Sequence, residues 1–164
     1  LEREALSAKA RTADNPVKLQ VLKIPHHALR SAAARYPAVG EAFWRDCMVD
    51  AAILSQWVVS MGRRDAVGRI AHLLCETATR QGVRESRSNC FGFPLTQNQI
   101  ADATGMTSVH VNRTLKALRP AATLAGRSVH ILDWDRLVGF ADFDPTYLQR
   151  GVAPGDRLRI AEAD

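Results

Sequence analysis

The run Leu95 to Leu118, reading LTQNQIADATGMTSVHVNRTLKAL, constrains the fold more than any other part of this 164-residue chain. It predicts two short helices hinged at Gly105. Thr96 and Gln99 have the spacing of a capping box, in which the Thr hydroxyl satisfies an orphan amide and the Gln side chain reaches back. Ile100, Ala101 and Ala103 are expected to pack the first helix inward. Gly105 suits the position just past a helix end, where left-handed backbone carries no Cβ penalty. Thr107 is placed to cap the second helix. At about 100° per residue, Val111, Leu115 and Leu118 share one face, the expected core stripe. The opposite face carries Val109, Arg113 and Lys116, flanked by His110 and Asn112.

A cationic, hydrogen-bonding face with one apolar residue matches the chemistry of base edges. Arginine suits guanine, asparagine suits adenine and valine suits a thymine methyl. A helix laid in the major groove of DNA presents such a face. An ordinary helical hairpin with a solvated basic face fits the same pattern. Pro120 stops the second helix. Beyond it, Ala125-Gly126-Arg127 lies between two apolar runs, Thr123-Leu124 and Val129 to Leu132, which predicts a small β-wing turning at Gly126. Arg127 near its tip would meet phosphate, giving affinity without sequence information; a solvated turn residue is the alternative.

Charge supports the nucleic-acid side. The net charge is +5, and it is unevenly spread. Residues 1–62 carry 8 basic and 6 acidic side chains, residues 63–128 carry 10 and 4, and residues 129–164 carry 4 and 7. The positive charge therefore concentrates around the predicted helical hairpin, as a polyanionic partner requires. No window approaches the roughly 18 apolar residues of a membrane span. No secretory leader is read at Leu1, so a cytoplasmic protein without a membrane partner is expected.

Catalytic and metal chemistry find little support. Cys47, Cys75 and Cys90 form no CxxC pattern, and an odd number argues against a disulfide framework. Cys47 and Cys75 fall on apolar helical stripes and are expected to be buried thiols. The 5 histidines form no dense ligand cluster; His26-His27 is expected at a helix start after Pro25, and His72 within a helix. No nucleophile–base pair, phosphate loop or supported carboxylate pair is present. Neither an enzyme nor a metal site is expected, and no cofactor is identified.

The remaining chain supplies the architecture. Residues 7–24 predict one or two strands broken at Ala13-Asp14-Asn15-Pro16, too little to be stable alone. The sheet to which they belong is expected in a preceding segment, since the chain begins at Leu1 without Met. Residues 25–35 predict a short helix ended before Pro37. A long helix is expected from about Val39 to Met61, where Phe43, Cys47, Asp50, Leu54, Trp57 and Met61 recur at near-heptad spacing. Such a stripe fits a helix buried in its own domain or a dimer seam, and the missing sheet favours the seam, with Asp50 setting register. Gly62-Arg63-Arg64-Asp65 reads as a hinge. Val67, Ile70, Ala71, Leu74 and Ala78 predict another amphipathic helix ending near Gln81-Gly82. Residues 83–92 read as a loop, Asp133 caps a helix from Trp134 to about Ala141, and an acidic tail begins at Gly151.

Three segments in this order, Arg69 to Glu76, Leu95 to Leu118 and Ile131 to Leu137 (ILDWDRL), resemble the Crp/Fnr family of bacterial transcription regulators. The likeness extends over residues 17–149 and is greatest to the branch with Val-His-Val-Asn-Arg in its recognition helix. It implies a mainly α fold with small β elements: a remnant of a β-roll sensor (1–37), a dimerisation helix (38–62), a winged helix-turn-helix (63–149) and a tail (150–164). It further implies a homodimer on a near-palindromic operator in double-stranded DNA, responding to a signal sensed N-terminally, with RNA polymerase as a further partner. By position, Arg113 matches the base-reading arginine, and Ser108 and Val109 match first-turn positions that contact bases. With His110 and Asn112 they make the expected base-contacting set. Thr96 and Asn98 match phosphate-touching positions, to which the face and wing add Lys116 and Arg127. Valine at 109, where many members have glutamate, cannot accept from cytosine, so a familiar operator sequence is not expected. Arg3-Glu4-Ala5 aligns with a phosphate-binding Arg-Ser-Ala motif; Glu4 would repel a cyclic phosphate, which argues against cyclic AMP. A helical module that binds protein rather than DNA is the alternative.

Overall fold

The computed structural model describes residues 5–12, 15–83 and 88–150. Arg3, Glu4, Ala13, Asp14 and the residues from Gly151 onward, where an acidic tail is expected, lie outside the described residues. The chain divides into two compact units that meet at Cys47–Met48, within a helix.

In the first unit, β1 (Ala5–Thr12) and β2 (Asn15–Leu22) form the expected pair. They run antiparallel, in register from Ala5↔Leu22 to Thr12↔Asn15. Helix α1 (His26–Arg35) starts after Pro25, whose fixed φ suits a helix start. Helix α2 (Pro37–Arg63) begins at Pro37 itself, earlier than Val39, because proline lacks only an N–H that the first turn leaves orphaned anyway.

The second unit is built around α3 (Ala66–Arg80). Its Ile70, Ala71, Leu74, Cys75 and Ala78 are almost wholly buried, as the amphipathic pattern requires. Around α3 lie α4 (Gln97–Thr104), α5 (Ser108–Leu118) and α6 (Trp134–Ala141), which contribute Ile100, Val111, Leu118 and Leu137 to one core. A three-stranded antiparallel sheet adjoins them, in the order β3 (Cys90–Gly92), β5 (Ser128–Ile131), β4 (Ala122–Ala125). Gly126 takes φ 60° in the β4–β5 turn, confirming the expected hairpin. The backbone N–H of Phe93, just after β3, donates to the Arg127 carbonyl at 2.7 Å.

Several expectations are corrected. Residues 90–92 are a strand, not loop; Phe91 and Phe93 are buried on either side of exposed Gly92, an alternation too short to detect by period. Ala103 is exposed, because α4 turns Ile100, Ala101 and Thr104 inward instead. Cys75 is buried as expected but Cys47 is exposed; periodicity shows which residues share a face, not which face is covered. The hinge narrows to Arg64-Asp65, since α2 continues through Gly62 and Arg63. There Asp65 caps α3 by accepting from the Gly68 N–H at 2.7 Å. Arg64 donates to the carbonyls of Ala141 (2.6 Å), Asp142 (3.2 Å) and Gln56 (3.5 Å). The fork of donors turns the break into a fixed junction.

A polar cluster lies inside this core. The Tyr147 hydroxyl donates to Glu76 Oε2 at 2.8 Å and stands 3.2 Å from His72 Nε2. Arg80 pairs with the other Glu76 oxygen at 2.9 Å. Trp57 of α2 meets the His72 ring edge-on at 5.3 Å. Burial holds the His72 pKa down at about 4, assisted by Arg64 and opposed by Glu76, so the imidazole is neutral near pH 7. Burial also pushes the Cys75 thiol up to about 12, leaving it protonated.

Candidate nucleic-acid interface

The start of α4 is fixed by Thr96 and Gln99. Thr96 accepts from the Gln99 N–H at 3.3 Å, while the Gln99 side chain accepts from the Thr96 N–H at 2.8 Å. This is the capping box expected from the sequence. Gly105 ends α4 with φ 64°. A Cβ built there would lie 2.5 Å from the Met61 methyl, so Gly105 serves both conformation and close approach. Thr107 then caps α5 by accepting from the His110 N–H at 3.3 Å.

With its start fixed by Thr107, α5 turns Val111, Thr114 and Leu118 into the core and leaves the other face open. Thr114 shares that buried face, where its hydroxyl is satisfied by donating to the His110 carbonyl at 2.9 Å; sequence periodicity did not single it out. Val109 (75% exposed) stands out as an apolar side chain in water. His110, Asn112, Arg113 and Lys116 are exposed, and Ser108 is half-buried. An open cleft of about 430 Å³ brings Ser108, Val109, Asn112, Arg113 and Lys116 together with Gln97. A second cleft, about 400 Å³, lies between α5 and β4 and is lined by Gln97, Asn112, Lys116 and Arg119 among others. Thr96, Asn98 and Arg127 are exposed outside these clefts, as is His110.

Cross-bridges join the two helices. Ser108 Oγ donates to Asn98 Oδ1 at 2.6 Å, and Asn112 Nδ2 donates to Gln97 Oε1 at 3.5 Å. Gln97 and Arg119 were not among the expected site residues. Arg119 follows the basic pattern of α5, whereas Gln97 carries no charge or spacing signal.

On α2, Phe43, Cys47, Asp50, Leu54 and Met61 of the expected seam are exposed. Trp57 is half-buried and packs against the core of its own unit. Met48, Val58 and Val59 add exposed apolar surface that the six-residue stripe did not include. Among the described residues no group of His, Cys, Asp or Glu could hold a metal ion, and no helix is long and apolar enough to cross a membrane.

Two capped helices joined through a left-handed glycine, packed on α3 and followed by a β-hairpin, define a winged helix-turn-helix domain. Residues 68–140 match the family described as the Crp-like helix-turn-helix domain. The chain is 30% identical over 115 residues to "Transcriptional activator protein FnrL" of Cereibacter sphaeroides, covering 66% of this chain and 46% of that one. It is 26% identical over 135 residues to a Rhizobium leguminosarum bv. viciae protein named "Probable transcriptional activator", covering 80% and 54%. It thus spans about half the length of these relatives. The solved structure of FixK2 from Bradyrhizobium japonicum superposes with a TM-score of 0.63 at 20% identity, over 79% of this chain and 69% of that one. That likeness extends the shared fold beyond the matched domain.

Proposed function

We propose that this chain is the DNA-binding part of a Crp/Fnr-type transcription regulator that acts as a homodimer on a near-palindromic operator. The observation that carries the reading is the exposed face of α5. It sets a cation, an amide and an apolar side chain around one cleft, on a helix whose start is fixed by the Thr107 cap. Arg113, Asn112 and Val109 then face base edges, with Ser108 and His110 at the margins. Thr96, Asn98, Lys116 and the wing residue Arg127 meet phosphates and set register. The similarity to two proteins named as transcriptional activators supports the same reading.

The homodimer would form through α2. Leu54 (66% exposed) and Val58 (72% exposed) lie one turn apart on that helix, an apolar face that a second copy can cover, whereas the end of Met61 packs against the Gly105 turn of its own chain. A dimer presents its recognition helices to half-sites about one helical turn apart. Signal sensing would fall to the N-terminal part of the protein, with RNA polymerase as the partner of the bound dimer.

Selection of bound sequences from genomic DNA by the purified protein tests the reading. A palindrome with half-sites about 10 base pairs apart is expected. Failure to recover DNA even at low salt, from folded dimeric protein, would favour the helical protein-interaction module.

A further inference from the structure

We propose that the cleft between α5 and β4 seats one phosphate of the DNA backbone, with Arg119 and Lys116 supplying charge and the Leu124 N–H a directed donor. The inference rests on the DNA-binding reading and adds Arg119 and a backbone group to it.

The charge in this cleft is unopposed. No acidic side chain lines its roughly 400 Å³. Among the described residues the one ion pair joins Arg80 to Glu76, so neither cation is neutralised by a carboxylate. Arg119 follows α5 with φ −51° and ψ −33°, which prolongs the helical course by a residue. Positions three apart on a helix are neighbours on one face, and this keeps exposed Arg119 beside exposed Lys116. Two like charges so placed repel; an anion between them relieves the repulsion.

The wing offers the complementary donor. β4 is an edge strand, paired with β5 alone. Its hairpin turns through Gly126 and Arg127 and is closed by Ala125 opposite Ser128. A two-residue turn makes that closing pair the hydrogen-bonded one, and bonding alternates along an antiparallel ladder. Leu124, opposite Val129, therefore directs its N–H and carbonyl out of the free edge. Ile131 fits the same alternation, since its N–H turns away from β4 to the Asn89 carbonyl at 2.7 Å. Leu124 lines the cleft, and its N–H has no partner among the described residues. Phosphate oxygens accept from backbone amides as well as from cations.

The place along α5 also suits backbone contact. The first turns of a recognition helix read base edges. Arg119 lies six residues beyond Arg113, about 9 Å along the axis, where the helix passes out of the groove beside the strand.

The test uses the full chain and the selected operator, with single phosphates replaced by neutral methylphosphonates. In the unaltered protein one linkage per half-site should cost about tenfold or more in affinity through this seat. Arg119→Ala and Lys116→Ala should each lose most of that sensitivity, at that linkage alone. Arg119→Ala should also lower the slope of log affinity against log salt by about 1, with base preferences unchanged, and Arg119→Lys should restore most of both. Leu124→Pro removes the donor but no ladder bond and should lose sensitivity at the same linkage. A methylphosphonate profile in Arg119→Ala identical to that of the unaltered protein would overturn the proposal, even if thermal stability fell, because an arginine that only completes the helix end leaves the profile intact. Arg119→Ala and Lys116→Ala losing sensitivity at different linkages would overturn it too. Full sensitivity in folded Leu124→Pro would strike the amide from the seat. Failure of the unaltered protein to select any operator would instead sink the regulator reading itself.

Discussion

The Met61 methyl of α2 occupies the space that a β-carbon on Gly105 would need, 2.5 Å from its position. The last turn of the long helix therefore rests on the turn between the two helices of the helix-turn-helix motif. Arg69 reinforces the contact, donating to the Thr104 carbonyl at 3.3 Å and to the Arg64 carbonyl at 3.0 Å.

Gly105→Ala should lower stability by about 1–2 kcal/mol, the cost of a left-handed alanine. The Met61 methyl is the end of a flexible side chain and can swing aside, so the strain lies mainly in the backbone. Urea unfolding of Gly105→Ala and of Gly105→Ala/Met61→Ala measures the two parts. Recovery of most of the loss in the double variant would show that the side-chain clash dominates instead.

Replacing Arg113 by alanine should cost about 1–3 kcal/mol on the selected operator and little on nonspecific duplex. Lys116→Ala should weaken both and reduce the slope of log affinity against log salt by about 1. Titrations at several salt concentrations separate the two roles; equal losses on both duplexes for Arg113→Ala would remove its base-reading assignment.

His72 makes stability depend on acid. Its folded pKa of about 4 lies below the ordinary 6.5, so the unfolded chain takes up the proton first. The contribution is complete above pH 6.5 and declines as pH falls toward 4, by up to about 3 kcal/mol. Unfolding free energies at pH 7, 5.5 and 4 should fall more steeply for the wild type than for His72→Gln. Parallel curves would show that other groups carry the acid sensitivity.

Leu54→Asp and Val58→Asp should shift the protein toward monomer, because each places a carboxylate in a face proposed to be covered. Sedimentation of the variants against the wild type, at matched concentration, reads the outcome. A wild type that is monomeric at tens of micromolar would refute the proposed seam.

Much of this site was legible because its signals are local. The caps at Thr96, Thr107 and Asp133, the left-handed Gly105 and the open face of α5 each depend on neighbours within a few positions. Trp57 shows where periodicity ended: it sits on the predicted stripe yet packs toward its own core, because a helix face has two margins and only tertiary contacts choose between them. Gln97 depends on the spacing of two helices, and His72 meets Tyr147 across 75 positions. Neither relation leaves a period in the chain. The strand at Cys90–Gly92 was hidden by its brevity.

The bond from the Phe93 N–H to the Arg127 carbonyl ties the approach to α4 to the tip of the wing. Only Pro94 and Leu95 separate Phe93 from the Thr96 cap. The two proposed phosphate contacts at Thr96 and Arg127, more than thirty positions apart in sequence, are thus held in one frame.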